Sequence, residues 1–169
     1  MSAAKRQRAV YDCNIYVQAL LNLNGPAGTC IRSALEDRVW LFVSEPLLSE
    51  IRDAPNKPTP ARLGVTIERT ETLIANILKV ATVVAEVPVV FTYDRDPDDA
   101  HYVNLALAAE AKLIVSRDRD LLDLMDESRP EARIFQQRFP SLRILEPVQF
   151  LRELTAEKSE APDMHPGLR

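Results

Sequence analysis

Apolar residues along the chain fall into two kinds of run. Short, continuous stretches rich in β-branched and aromatic residues alternate with longer stretches whose apolar positions recur every three to four residues. That alternation is the pattern of a parallel sheet covered by helices. The first short run is Ala9-Val10-Tyr11, ending at Asp12, and a helix is expected from Asn14 to Leu21. Gly25-Pro26 breaks the chain, and Thr29 can cap a second helix carrying Ile31, Ala34 and Leu35. Val39 to Val43 is an uninterrupted strand, after which Ser44 reads as the N-cap of a helix with Pro46 in its first turn and Leu47, Leu48 and Ile51 on one face. The proline-rich segment Pro55 to Pro60 reads as a rigid, helix-breaking connection. A helix resumes from Thr66 to Lys79, followed by a weak strand at Thr82-Val83-Val84 and an apolar run, Val87 to Phe91, whose Pro88 confines it to an edge or a loop. Asp96-Pro97-Asp98-Asp99 is a helix start, with a capping acid, proline at the first helical position and acids in the first turn, and its helix runs to about Ala109. A fourth strand covers Lys112 to Ser116, a helix Glu131 to Phe139, a last strand Leu142 to Leu145 and a closing helix Pro147 to Leu154. Residues 156–169 read as a disordered tail, which leaves a single α/β domain over residues 8–155.

Composition narrows the chemistry. The 169 residues, 46% hydrophobic and 27% charged, suffice for one core without disulfide or metal staples. The four glycines form neither a GxGxxG nor a P-loop pattern, which argues against dinucleotide and nucleoside-triphosphate cradles. With only His101 and His165 present, a His-rich metal site is excluded, as is a Ser-His-Asp triad built on any histidine but His101. Cys13 and Cys30 lack CxxC spacing and are too few for a secreted disulfide framework. The basic N-terminus carries no apolar stretch and is not read as a signal peptide. No apolar run approaches the ~20 residues of a membrane helix, so the expected setting is the cytoplasm, away from membranes. A net charge of −4 argues against passive nucleic-acid binding through a basic surface. It leaves open an enzyme that reaches phosphates through a bound cation.

The acids then form a pattern. Asp12 closes the first strand, Asp118 follows the fourth, Glu50 lies in the helix after the second, and Asp98 and Asp99 lie in the first turn of the helix before the fourth. In a parallel sheet, residues just beyond the carboxyl ends of the strands converge on one crevice. Several carboxylates there repel one another unless a cation offsets them, and hard oxygen ligands suit Mg²⁺ or Mn²⁺. Taken singly, each acid reads more readily as a structural cap than as a catalytic group, and Glu50, at the border of its apolar face, as a solvated side chain. Helical periodicity does not separate Asp98 from Asp99 and sets Asp98 slightly closer to the apolar stripe. His101, two residues from Asp99, reads as a structural or solvated histidine, and Trp40 as core. Arg117 and Arg119, flanking Asp118, read either as phosphate contacts or as exposed arginines paired with nearby acids.

Three segments, VYDCNIYVQALL, VSEPLLSEI and DRDPDDAHYVNLALAAEAKLIVSRDRDLL, carry a resemblance to the PIN-domain family over roughly residues 8 to 150, in matching order and spacing. The chain is most similar to the branch of that family comprising toxins of toxin–antitoxin pairs. The resemblance implies a three-layer α/β/α sandwich around a mostly parallel sheet. It also implies a Mg²⁺- or Mn²⁺-dependent endoribonuclease with Asp12, Glu50, Asp99 and Asp118 as catalytic acids. Asp12, Asp99 and Asp118 would hold the metal, and Glu50 would position or deprotonate the attacking water. Asn14, Ser116 and Asp120 would support them, and Arg117 and Arg119 could contact RNA. Asp99 is preferred to Asp98 because the family acid is followed by a small residue, here Ala100. Implied partners are RNA and a small antitoxin, with a homodimer also admitted. Two positions depart from the family pattern: Cys13 stands for a threonine and removes a hydroxyl beside the first acid, and Ser116 stands for a threonine and keeps one. Two other readings compete: a phosphohydrolase using an aspartyl-phosphate at Asp12, although the second acid of that chemistry is here Asn14, and a catalytically degenerate binding module.

Overall fold

The computed structural model describes residues 5–160. Five strands, β1 (Gln7–Tyr11), β2 (Val39–Val43), β3 (Thr82–Val83), β4 (Leu113–Val115) and β5 (Arg143–Leu145), form one sheet in the order β3-β2-β1-β4-β5. Every pairing is parallel. The helices are α1 (Cys13–Leu21), α2 (Pro26–Leu35), α3 (Glu45–Asp53), α4 (Pro58–Arg62), α5 (Ile67–Leu78), α6 (Ala100–Ala108), α7 (Arg119–Leu122), α8 (Pro130–Arg138) and α9 (Pro147–Glu160). Right-handed crossovers run one way from β1 to β2 to β3 and the other way from β3 to β4 to β5, and so cover opposite faces of the sheet. The contacts agree: α1, α2, α3 and α5 pack together, with α9 against α2, while α6 lies across β1, β2 and β4. This is the expected α/β architecture, and its topological reversal falls between β1 and β4.

Local chemistry explains most boundaries. Asp12 and Ser44 cap α1 and α3 as the sequence suggests, accepting from Asn14 N and Leu47 N, and Thr66 caps α5. Three readings need correction, and one segment left without an element gains two. The second helix begins at Pro26, three residues before Thr29, because proline suits a first helical position and Gly25 supplies the turn. The Pro55–Pro60 stretch is not a bare connection: Ala54–Asn56 is a 3₁₀ turn and Pro58 opens α4, since proline breaks helix interiors but not helix starts. The chain after Asp118 winds into α7 and a 3₁₀ turn, Asp123–Met125. The closing helix continues past Leu154 to Glu160, so residues 156–160 are helical, not tail. The remainder of the expected tail, residues 161–169, lies outside the described residues, as does His165.

α6 is buried almost all round, consistent with its central position. Its buried Asn104 accepts from Val90 N and Phe91 N and donates to Phe91 O, which pins the long 84–96 connection leading to the acids. Trp40 is only partly buried: it stacks on Phe42 and lies under the Arg8 guanidinium.

Candidate functional site

Asp12 continues β1 by one residue, its N–H bonding Val115 O across the sheet at 3.0 Å, and its side chain turns into the cap of α1. It is 2% exposed. One carboxylate oxygen accepts from Asn14 N at 2.6 Å and the other from the Ser116 hydroxyl. Ser116 Oγ in turn accepts from Asp118 N at 2.9 Å. The hydroxyl that follows β4 thus joins the first acid to the last. Asn14 contributes its backbone N–H, and its side chain is exposed. Asp118 caps α7 through Asp120 N.

The third element is the turn Pro97–Asp99. Asp96 caps it by accepting from Asp98 N, and Asp99 follows into the start of α6. Asp98 is exposed whereas Asp99 is buried. Ligand oxygens of Asp96, Asp99 and Asp118 all lie within 4.8 Å of one another. Asp99 Oδ2 is buried and has no hydrogen-bond partner. Burial first, then the charges of Asp118 and Asp96, and with a smaller share that of Asp12, push the Asp99 carboxyl up to about 8. Asp12 is raised to about 6, by burial and against its own hydrogen bonds, with Asp118 adding repulsion. These acids share one electrostatic site, at the reversal of the sheet. Asp96, read from the sequence only as a cap, belongs to the tightest group. Asp12 sits beside that group with both oxygens already engaged. The signal for Asp96 was its spacing: the turn from Pro97 to Asp99 brings residues i and i+3 to one side.

Glu50 is held apart from the three. Its Oε1 meets His101 Nε2 and its Oε2 accepts from Tyr102 OH at 2.5 Å. Burial would raise its carboxyl, but the bonds from His101 and Tyr102 prevail and hold it below its ordinary value. His101 is therefore a partner of Glu50, a role that helical spacing from Asp99 could not suggest because Glu50 is on α3. Arg117 and Arg119 are exposed, and neither forms an ion pair among the described residues. Asp120 is not in the cluster and pairs instead with Arg95, whose Nε meets its Oδ1 at 2.7 Å.

A crowded set of hard oxygens, one of them buried without a partner, fits a small divalent cation. The family model of the PIN domain matches residues 8–120. The chain belongs to the PIN-domain family. It is 29% identical over 128 residues to an uncharacterized protein of Methanocaldococcus jannaschii, covering 72% of this chain and 77% of that relative. In fold it is similar to a chain in the crystal structure of VapBC2 from Rickettsia felis bound to a DNA fragment from their promoter. That likeness has a TM-score of 0.50 at 13% identity and covers 83% of this chain and 98% of the other. Among the described residues, no helix of this PIN-domain protein is long and apolar enough to cross a membrane.

Proposed function

We propose that this chain is a metal-dependent endoribonuclease, the toxin of a toxin–antitoxin pair, acting in the cytoplasm. The observation that carries the metal site is the cluster of Asp96, Asp99 and Asp118, which can bring one oxygen each within 4.8 Å of one another, and Asp99 Oδ2 is buried there without a hydrogen-bond partner. Asp99 and Asp118, as expected, and Asp96 in addition, would hold Mg²⁺ or Mn²⁺. Asp12 would serve from beside them, joined to Asp118 through Ser116. A cation held there would offset the carboxylate charge and supply Lewis-acid chemistry toward a phosphodiester oxygen. The protein's part is orientation. Ser116 and the N–H groups at the starts of α1 and α7 fix Asp12 and Asp118, and the Asn104 clamp fixes the connection that delivers Asp96 and Asp99. Glu50, held ionised by His101 and Tyr102, would position the attacking water. Family membership, with the branch the sequence resembles, supplies RNA as substrate and a small antitoxin as partner; the likeness in fold to a VapBC2 chain agrees with it. An aspartyl-phosphate at Asp12 is disfavoured because both its oxygens are engaged and it is 2% exposed. The test is cleavage of labelled RNA with Mn²⁺ and with chelator, alongside Asp12→Asn. Cleavage is expected only with metal and only with Asp12 intact. Activity that survives chelation overturns the mechanism, and metal binding without cleavage of any RNA favours the degenerate module.

A further inference from the structure

Tyr102 stands where two parts of the site meet. Its hydroxyl donates to Glu50 Oε2 at 2.5 Å and accepts the backbone N–H of Cys13, the residue after Asp12, at 3.2 Å. A phenol has one proton to give, and here it goes to Glu50. His101, its ring centroid 3.9 Å from that of Tyr102, takes the other Glu50 oxygen. The first turn of α6, which begins beside Asp99, therefore fixes both oxygens of a carboxylate on α3 and touches the first amide of α1.

The four tyrosines differ in this respect. Tyr11 and Tyr93 donate to backbone carbonyls, and the buried Tyr16 hydroxyl has no partner. Tyr102 alone among them directs its proton to a side-chain carboxylate. It is 4% exposed. Burial, then the bond to Glu50, hold its proton far above the ordinary phenol range, so at neutral pH it remains a donor. A Glu free to swing on its side-chain torsions would spend little time in one orientation, and misplacement of a reacting group by ~1 Å can cost ~10²-fold in rate.

We propose that Tyr102, with His101 beside it, is a positioning residue that holds the Glu50 carboxylate in fixed relation to the Asp12–Cys13 turn. The kinetic consequence rests on the nuclease reading above; the structural coupling does not. The experiment compares wild type, Tyr102→Phe, Glu50→Ala and the double variant in the full chain, with Mn²⁺ and a labelled random-sequence RNA. Tyr102→Phe keeps the ring that packs and removes only the hydroxyl. It is expected to lower kcat about 10- to 100-fold, with KM and the Mn²⁺-induced rise in Tm nearly unchanged. In the Glu50→Ala background the same change should cost no further kcat, because there is no carboxylate left to orient. An equal loss in both backgrounds overturns the proposal. The melting temperatures of the same four proteins give a second measure: coupled losses support the contact as an ordering one, and strictly additive losses overturn it. Wild type that does not cleave would sink the nuclease reading, and the melting cycle would then decide for Tyr102 alone.

Discussion

Two acidic regions lie side by side and are built on opposite principles. In the segment after the fourth strand, Arg95 bridges Asp120 and Asp123 at 2.7 Å each, and Arg129 reaches Asp123 and Asp126 at 3.3 Å each. In the crevice, Asp12, Asp96, Asp99 and Asp118 have no Lys or Arg ion-pair partner among the described residues. The contrast is sharpest at neighbours. Arg95 adjoins Asp96 in sequence, yet its guanidinium is drawn to Asp120 and Asp123, while Asp118, two residues from Asp120, is left among other acids. The consequences are opposite too: hydrogen bonds from Ser128, helped by Arg129, hold Asp126 below its ordinary value, whereas Asp99 is pushed up to about 8. The informative quantity is thus local imbalance of charge, not the net −4 of the chain. Asp120, Asp123 and Asp126 tie neighbouring elements together through guanidinium partners; the crevice acids, on the function proposed above, would be offset by a cation.

The largest expected effect breaks the crevice directly. Asp99→Asn should reduce Mn²⁺-dependent RNA cleavage by about 10²–10³-fold or more, the scale for losing a group that stabilises transition-state charge. Metal-free stability should stay level or rise, because one like charge has gone. Saturating cation stabilises a fold by about 2.7 kcal/mol at a hundredfold excess over its dissociation constant, and most of that gain should vanish in this variant. Thermal melts with and without Mn²⁺ measure both. Asp98→Asn, at an exposed position, should leave the metal response intact, and its loss there instead would move the third acid by one residue.

The next effect is on pH. A carboxyl whose folded value is raised favours the folded state when protonated, so its contribution is full below the unfolded value near 4 and is lost as pH rises through the folded one. Asp12 and Asp99, at about 6 and about 8, should therefore make the metal-free protein melt lower as pH rises from about 4 to 8. Mn²⁺ should flatten that slope, since it binds the ionised form. Asp126, with its lowered value, acts in the opposite sense and loses its contribution only in acid. Metal-free melting temperatures that climb steadily from pH 5 to 8 would contradict the assignment of the crevice acids.

How much of this was legible in the sequence follows from the range of the interactions. The strands, the Ser44 cap and the strand-end position of Asp12 are written in neighbours a few residues apart, and the sequence carries them. The extents of α2, α4 and α9 are not legible from pattern alone, because a proline can start a helix as well as stop one and because a polar, exposed helix end lacks an apolar stripe. Tyr102 and His101 holding Glu50, Asn104 holding Phe91, and Arg95 turning to Asp123 span 13 to 52 positions of chain. Periodicity has no term for such pairs. Asp96 was visible as a cap, but its second role needed the turn to be seen closed.

A smaller effect tests the paired region. Asp123 is 8% exposed and carries two arginines, so Asp123→Ala should lower Tm with or without metal by removing the partner that holds both. The Mn²⁺-induced shift should be preserved within error. A variant that instead lost the metal response, with its basal stability unchanged, would erase the distinction between the two regions.

The smallest expected effect concerns the two arginines that belong to neither region. Arg117 and Arg119 flank Asp118, are exposed and make no ion pair among the described residues, so either is free to meet a phosphate. Their settings differ. Arg117 lines a cleft with Gln18, Asn22 and Gly25 at the join of α1 and α2, and its charge is felt by the buried Cys30 thiol behind them. Arg119 opens α7 and follows the capping Asp118. Each phosphate contact contributes about one unit to the slope of log affinity against log salt, slightly less on single strands. Replacing both with Ala should therefore weaken RNA binding and lower that slope by about one to two, while the Mn²⁺-induced rise in Tm stays as it was. The single variants apportion the effect, and because the two side chains leave Asp118 in different settings, RNA of increasing length should separate them. A loss for Arg117→Ala that grows with RNA length, against a constant loss for Arg119→Ala, would mark the α1–α2 cleft as part of the path of the strand. An unchanged slope in the double variant would return both arginines to the solvated surface and leave the crevice acids, with their cation, as the sole means of holding the substrate's phosphates.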